Sequence, residues 1–181
     1  VVATRKWTVE EVQAGPPAGD WELIEGELVR MSPSAGRSGV VGGRIAVLVG
    51  AHVLAGGIGQ PIIPEAGYRP DPNRDTVRSP DFSVIRNERM PSPEQQRGFL
   101  PLAPDFVVEV LSPTGRWADA LSKCAWWLEV GVRLLWLVDP ETESVVVMTQ
   151  DRAPDRLAAG ALLDGGDVLP DLAIPVADIF A

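Results

Sequence analysis

One cysteine, one histidine, one tyrosine and only two lysines, Lys6 and Lys123, stand in a chain of 181 residues. With Cys124 alone, neither an intramolecular disulfide nor a Cys-x-x-Cys zinc site can form, and a reducing, cytoplasmic setting is the expectation. With His52 alone, histidine-rich metal sites lack their material, acid/base and triad schemes have little of it, and no Gly-x-Ser-x-Gly elbow is present. His52 itself lies in an apolar segment and reads as structural. Long apolar runs are missing too: Gly39–Gly59 comes nearest, but Arg44, His52 and seven glycines interrupt it. A spanning helix needs ~18 or more uninterrupted apolar residues. No membrane partner and no secretory signal are therefore expected. Positive charge is also short, with 25 acidic residues against 16 basic ones and a net charge of −9. That excludes a general basic coat for nucleic acid, and leaves only a local patch in which Arg37, Arg44, Arg74, Arg78, Arg86, Arg89 or Arg97 would have to gather. Because 14 of the basic residues are arginine, a retained lysine calls for a reason.

What is present suits a globular domain: 45% of residues are apolar and 23% charged. A single domain over residues 1–181 is expected. Thr8 and Glu11 have the spacing of a capping box, so a short helix should begin near Val9 and stop before Gly15. Trp21–Ile24 and Glu27–Met31 flank Glu25-Gly26 as a β-hairpin. Val40 to Val53 carries a long amphipathic helix. Strands are predicted at Pro61–Tyr68, Asp81–Ile85, Asp105–Leu111, Arg133–Val138 and Ser144–Thr149, with a helix over Arg116–Val130 closed by Gly131. The long Arg86–Pro104 connection should hold one helical turn near Pro93–Gln96. The tail, Leu157–Phe180, reads as short strands and turns. Strand, helix, strand in the middle of the chain predicts an α/β fold whose mixed sheet carries helices on its faces.

Period-two counting on Asp105–Leu111 puts Glu109 on one face with Asp105, Val107 and Leu111. A carboxylate between aliphatic neighbours in a sheet interior must meet a cation, a metal or water, or become protonated. Asp81 opens another strand after Ser79-Pro80. Two carboxylates on adjacent strands can hold a hard divalent ion such as Mg2+, which takes oxygen ligands and keeps waters for chemistry. Lys123, on the following helix beside Ala120 and Trp127, could reach back to the sheet. Two structural readings stand beside this one: an exposed Asp119–Lys123 helical pair four residues apart, and Glu109 as the buried partner of an arginine. Gly36, Gly39, Gly42 and Gly43 match no phosphate-binding loop, and most of the six tryptophans sit at strand or helix core spacing rather than as a base-stacking platform.

The residues in order resemble a known family. Trp21-Glu22-Leu23-Ile24-Glu25-Gly26-Glu27-Leu28-Val29, Met31-Ser32-Pro33, Ser79-Pro80-Asp81 and Ala103-Pro104-Asp105 through Ser112-Pro113 carry the likeness. So do Asp119 with Lys123, Gly131-Val132, Trp136–Pro140 and Ala177–Phe180. Together they resemble the bacterial Uma family of restriction endonucleases, in the PD-(D/E)XK nuclease superfamily, over nearly the whole chain. The resemblance implies a restriction-endonuclease-like α/β fold: a central mixed sheet flanked by helices, with an N-terminal hairpin. It makes Asp81 and Glu109 metal carboxylates, adds the Val110 backbone carbonyl as a ligand, and marks Glu27 as an accessory ligand. The superfamily's usual lysine position, two residues after the acid, holds Leu111. Lys123 matches the family's alternative, with the lysine on the next helix. Ser38 stands where many relatives have histidine, and Trp127 where many have tyrosine. The function implied is a Mg2+-dependent DNA endonuclease, with Mn2+ as substitute ion, catalytic residues Asp81, Glu109 and Lys123, and a homodimer as in endonucleases that cut two strands. Two rival expectations remain: a catalytically inactive nuclease-fold protein that binds or regulates, and a metal-dependent hydrolase of RNA or another phosphoester.

Overall fold

A two-residue hairpin turn of type I′ needs positive φ at both central positions, and Glu25-Gly26 provides it with φ of 49° and 79°. The computed structural model describes residues 5–15, 18–31, 36–113 and 116–181. They divide into two units, of which the smaller is built from Val1–Pro33, Glu65–Ser79 and Pro91–Ala103. In it helix α1 (Val9–Ala14) opens with the expected capping box, Glu11 N–H donating to Thr8 Oγ1 at 3.2 Å and Thr8 N–H to Glu11 Oε2 at 3.0 Å. The hairpin pairs β1 (Trp21–Ile24) with β2 (Glu27–Arg30). Leu23 bridges Val77, and these two with Val9 form a buried cluster against Trp7, Val12, Leu28 and Phe99.

The larger unit comprises Ser34–Pro64, Pro80–Met90 and Pro104–Ala181. Its long helix α2 (Gly36–Ala55) leads into strands β3 (Gly59–Ile62), β4 (Phe82–Arg86) and β5 (Phe106–Val110), then helix α3 (Trp117–Glu129). Strands β6 (Leu134–Asp139), β7 (Ser144–Met148) and β8 (Asp155–Leu157) follow. These form one six-stranded sheet in the order β3-β4-β5-β6-β7-β8. Only β5 and β6 run parallel, joined across α3, and every other pair is antiparallel. A second ladder pairs β9 (Leu162–Asp164) with β10 (Ala173–Pro175), and helix α4 (Val176–Phe180) follows.

Both faces of the central strands are covered, which is why β6 and β7 are buried along their whole length. Phe106, Val108, Trp136 and Val138 share one cluster with Val41, Ile45, Val49 and Val53, the inward stripe of α2. Val107 and Glu109 therefore point to the opposite face, the one that α3 covers.

Two expectations change. The strand predicted at Pro61–Tyr68 is Gly59–Ile62, and Tyr68 instead makes isolated bridges to Arg78 and Leu100. Pro61 is tolerated because β3 is an edge strand, while Pro64 cannot extend the ladder. The tail also ends in α4 rather than in strands and turns alone.

Candidate metal centre

The site starts from a carboxylate that the sheet buries. Glu109 is the fourth residue of β5, 7% exposed, paired in register with Leu137 of β6. Left alone there, an ionised carboxylate would cost several kcal/mol. The α3 helix supplies the compensation from two side chains four residues apart, hence on one helical face. Lys123 Nζ lies 3.1 Å from Glu109 Oε1 and the indole Nε1–H of Trp127 donates to the same oxygen at 2.7 Å. Trp127 is fully buried, and the Lys123 side chain is 14% exposed. The two structural alternatives thus separate: the cation on Glu109 is Lys123 rather than an arginine, and among the described residues Asp119 has no ion pair.

Asp81 immediately precedes β4. The antiparallel register matches Phe82 to Val108 and Ser83 to Val107, so one further step sets Asp81 across from Glu109. Asp81 Oδ2 accepts the backbone N–H of Val110 at 2.6 Å, which ties the carboxylate to the end of β5. Val110 meets Asp81 through its amide. The neighbouring Leu111 carbonyl accepts from Ser38 Oγ at 2.8 Å, so the first turn of α2 is fastened to the chain leaving β5. Glu27 lies in the smaller unit with its carboxylate 3.0 Å from Lys6 Nζ, both side chains more than half exposed.

The donor set can be tested against the ion. Asp81 and Glu109 offer oxygen only, with no thiolate or imidazole in the arrangement, which suits a hard cation bound by two carboxylates and water. The ammonium on Glu109 shows that the pocket accommodates positive charge at that oxygen. No group of three or more His, Cys, Asp or Glu side chains with metal-holding geometry occurs among the described residues. A hydrated Mg2+ held by two carboxylates fits within that limit. Cys124, next to Lys123, is no ligand candidate: burial and then the Glu109 charge push its thiol up to about 12.

Two residues of the site were not legible as such. Trp127 has the spacing of a core residue, and only its i+4 position from Lys123 signals the contact with Glu109. Ser38 carries no signal in the sequence beyond standing where relatives have histidine. His52 behaves as expected of a structural residue, its Nε2 2.8 Å from the Pro170 carbonyl. Most arginines proposed for a polyanion patch are already engaged. Arg37 pairs with Glu143, Arg74 with Glu25, Arg86 with Glu88, Arg89 with Asp105 and Arg97 with Glu94. Arg78 is buried.

The structure brings Asp81 and Glu109 to neighbouring strands and sets Lys123 of α3 on Glu109. The Uma2 family model, described as "Putative restriction endonuclease", matches residues 9–177. The chain belongs to the Uma2 family. Its fold matches that of a crystal structure described as "a putative nuclease belonging to DUF820 from Anabaena variabilis ATCC 29413". The TM-score is 0.83 at 22% identity, over 96% of this chain and 97% of that one. At such identity the likeness speaks for the fold. No curated protein gives a match. The fold that this Uma2 chain shares with that structure is the central mixed sheet flanked by helices, with an N-terminal hairpin.

Proposed function

We propose that this Uma2 chain is a Mg2+-dependent DNA endonuclease, hydrolysing phosphodiester bonds in the cytoplasm, with Mn2+ able to replace Mg2+. The observation that carries the reading is the buried Glu109–Lys123 ion pair at the strand end that Asp81 caps. Asp81 and Glu109 would hold the ion, with the Val110 carbonyl as a further oxygen. Glu27, already engaged by Lys6, is an accessory the reading does not require. When bound, such an ion polarises a phosphate and lowers the pKa of its water. The chain's own contribution is to fix and balance charge. Trp127 N–H and Val110 N–H each anchor one carboxylate, and Lys123 orients the attacking hydroxide or offsets the negative charge growing on the phosphate.

Purified protein, plasmid DNA and Mg2+ or Mn2+ make the direct assay. Asp81→Asn, Glu109→Gln and Lys123→Ala are each expected to lower cleavage by about 100-fold or more, with folding checked by circular dichroism. Wild type and Lys123→Ala sharing one background rate would overturn the catalytic role.

A second reading, a nuclease fold kept for binding or regulation, is favoured by the net charge of −9 and by the carboxylates already sitting on the arginines. Calorimetry separates the two, since the endonuclease requires metal heat that depends on both Asp81 and Glu109. A panel of RNA and small phosphodiesters decides whether the same centre serves another phosphoester.

A further inference from the structure

The long helix α2 is apolar on both sides, but only one side is used within the chain. Val41, Ile45, Val49 and Val53 face the sheet. On the other side Val40 is 58% and Val47 69% exposed, and with Gly43, Leu48, Arg44 and Asp178 of α4 they line an open groove of about 580 Å³. Apolar surface gathered in one concavity marks a docking site more often than scattered exposed residues do.

The charges in the groove indicate what fits it. Arg44 Nη1 donates to the backbone carbonyl of Asp178 at 3.3 Å, and neither Arg44 nor the Asp178 carboxylate has an ion-pair partner among the described residues. One guanidinium and one carboxylate, both unneutralised and on the same apolar patch, form a self-complementary pair. A two-fold axis through the groove would set each Arg44 against Asp178 of a second copy, giving two charge pairs around an apolar centre. Net charge points the same way. Each copy carries −9, so self-association needs a face poor in acids, and helix α2, which lines most of the groove, has no Asp or Glu. A membrane surface or a nucleic acid would call instead for a band of cations, and the groove presents one.

We propose that the groove between α2 and α4 is the interface of a symmetric homodimer, closed by reciprocal Arg44–Asp178 pairs. The interface does not depend on the metal centre or on the nuclease reading.

Sedimentation equilibrium of the whole chain tests it. Wild type is expected at twice the 19.4 kDa of the chain at tens of micromolar. Val47→Glu places a charge on an exposed side chain, leaves the fold intact by circular dichroism and is expected to give monomer. Arg44→Asp and Asp178→Arg should each weaken the dimer about tenfold, and the combined swap should restore it to within about threefold. A wild type that stays monomeric overturns the proposal. So does a dimer indifferent to Val47→Glu or to the swaps, or a monomer that binds anionic phosphatidylserine vesicles through Val47.

Discussion

Glu109, Lys123 and Trp127 form a coupled set, and their energetics separate a structural from a chemical role. Removing one partner of a buried ion pair leaves the other charge stranded, whereas removing both charges together is often neutral. Lys123→Met alone should therefore destabilise the fold by about 3 kcal/mol in urea unfolding. Glu109→Gln with Lys123→Met keeps an acceptor for the Trp127 indole and removes both charges, so its stability should return close to wild type while metal binding is lost. A double variant as unstable as the single one would mean that the pair is there for the fold. Trp127→Phe removes the indole N–H from a charged acceptor and should cost about 1.5–3 kcal/mol. Cys124 gives a check on the same pocket. Its thiol is held neutral by burial and by the adjacent Glu109 charge, with the pKa raised from 9.0 to about 12. Ellman's reagent at pH 8 should modify it only after denaturation. A raised thiol pKa contributes stability that is complete below pH 9 and is lost as pH climbs toward 12.

Among the elements, the hairpin and the β5–α3–β6 crossover set the geometry. Gly26 has φ of 79°, and a Cβ there would stand 3.1 Å from Lys6 Cδ and 3.3 Å from the Trp7 carbonyl. Gly26→Ala is expected to lower stability by about 1 kcal/mol or more in thermal unfolding, whereas an unchanged midpoint would show that the turn relaxes freely. The elements that could be read from sequence are those with strong local punctuation. Thr8 and Glu11 announce a helix start, Glu25-Gly26 a turn, and the unbroken Leu134–Val138 run a strand covered on both faces. The bounds Gly59–Ile62 are not legible because pairing with β4, not composition, ends the ladder at Ile62, two residues before Pro64. In the site, Glu109 was legible as a carboxylate out of place in an apolar strand, and Lys123 stood out by its rarity. Trp127 was not, because a tryptophan on the inner face of a helix looks the same whether it packs or donates. The contact that distinguishes these roles joins residues 18 positions apart on different elements.

Over the whole molecule, charge limits how the proposed DNA substrate could be held. With 25 acidic residues against 16 basic ones, and with five of the candidate arginines already on carboxylates, few cations remain to release counterions. The salt dependence of DNA binding should therefore be shallow, with a slope corresponding to about three phosphates or fewer. A steep slope, or tight non-specific binding at about 0.15 M salt, would show that the ion pairs open to make a polyanion site. With few free cations, engagement of the scissile phosphate would rest mostly on the proposed metal centre, which makes occupancy of that centre the decisive quantity. A crystal grown with Mn2+ and examined by anomalous scattering reads it directly. A peak bonded at once to the Asp81 and Glu109 carboxylates, at about 2.0–2.2 Å, is expected, with Lys123 moved off Glu109 or sharing it. Lys123 still seated on Oε1 with no peak beside Asp81 at saturating Mn2+ would contradict the endonuclease assignment.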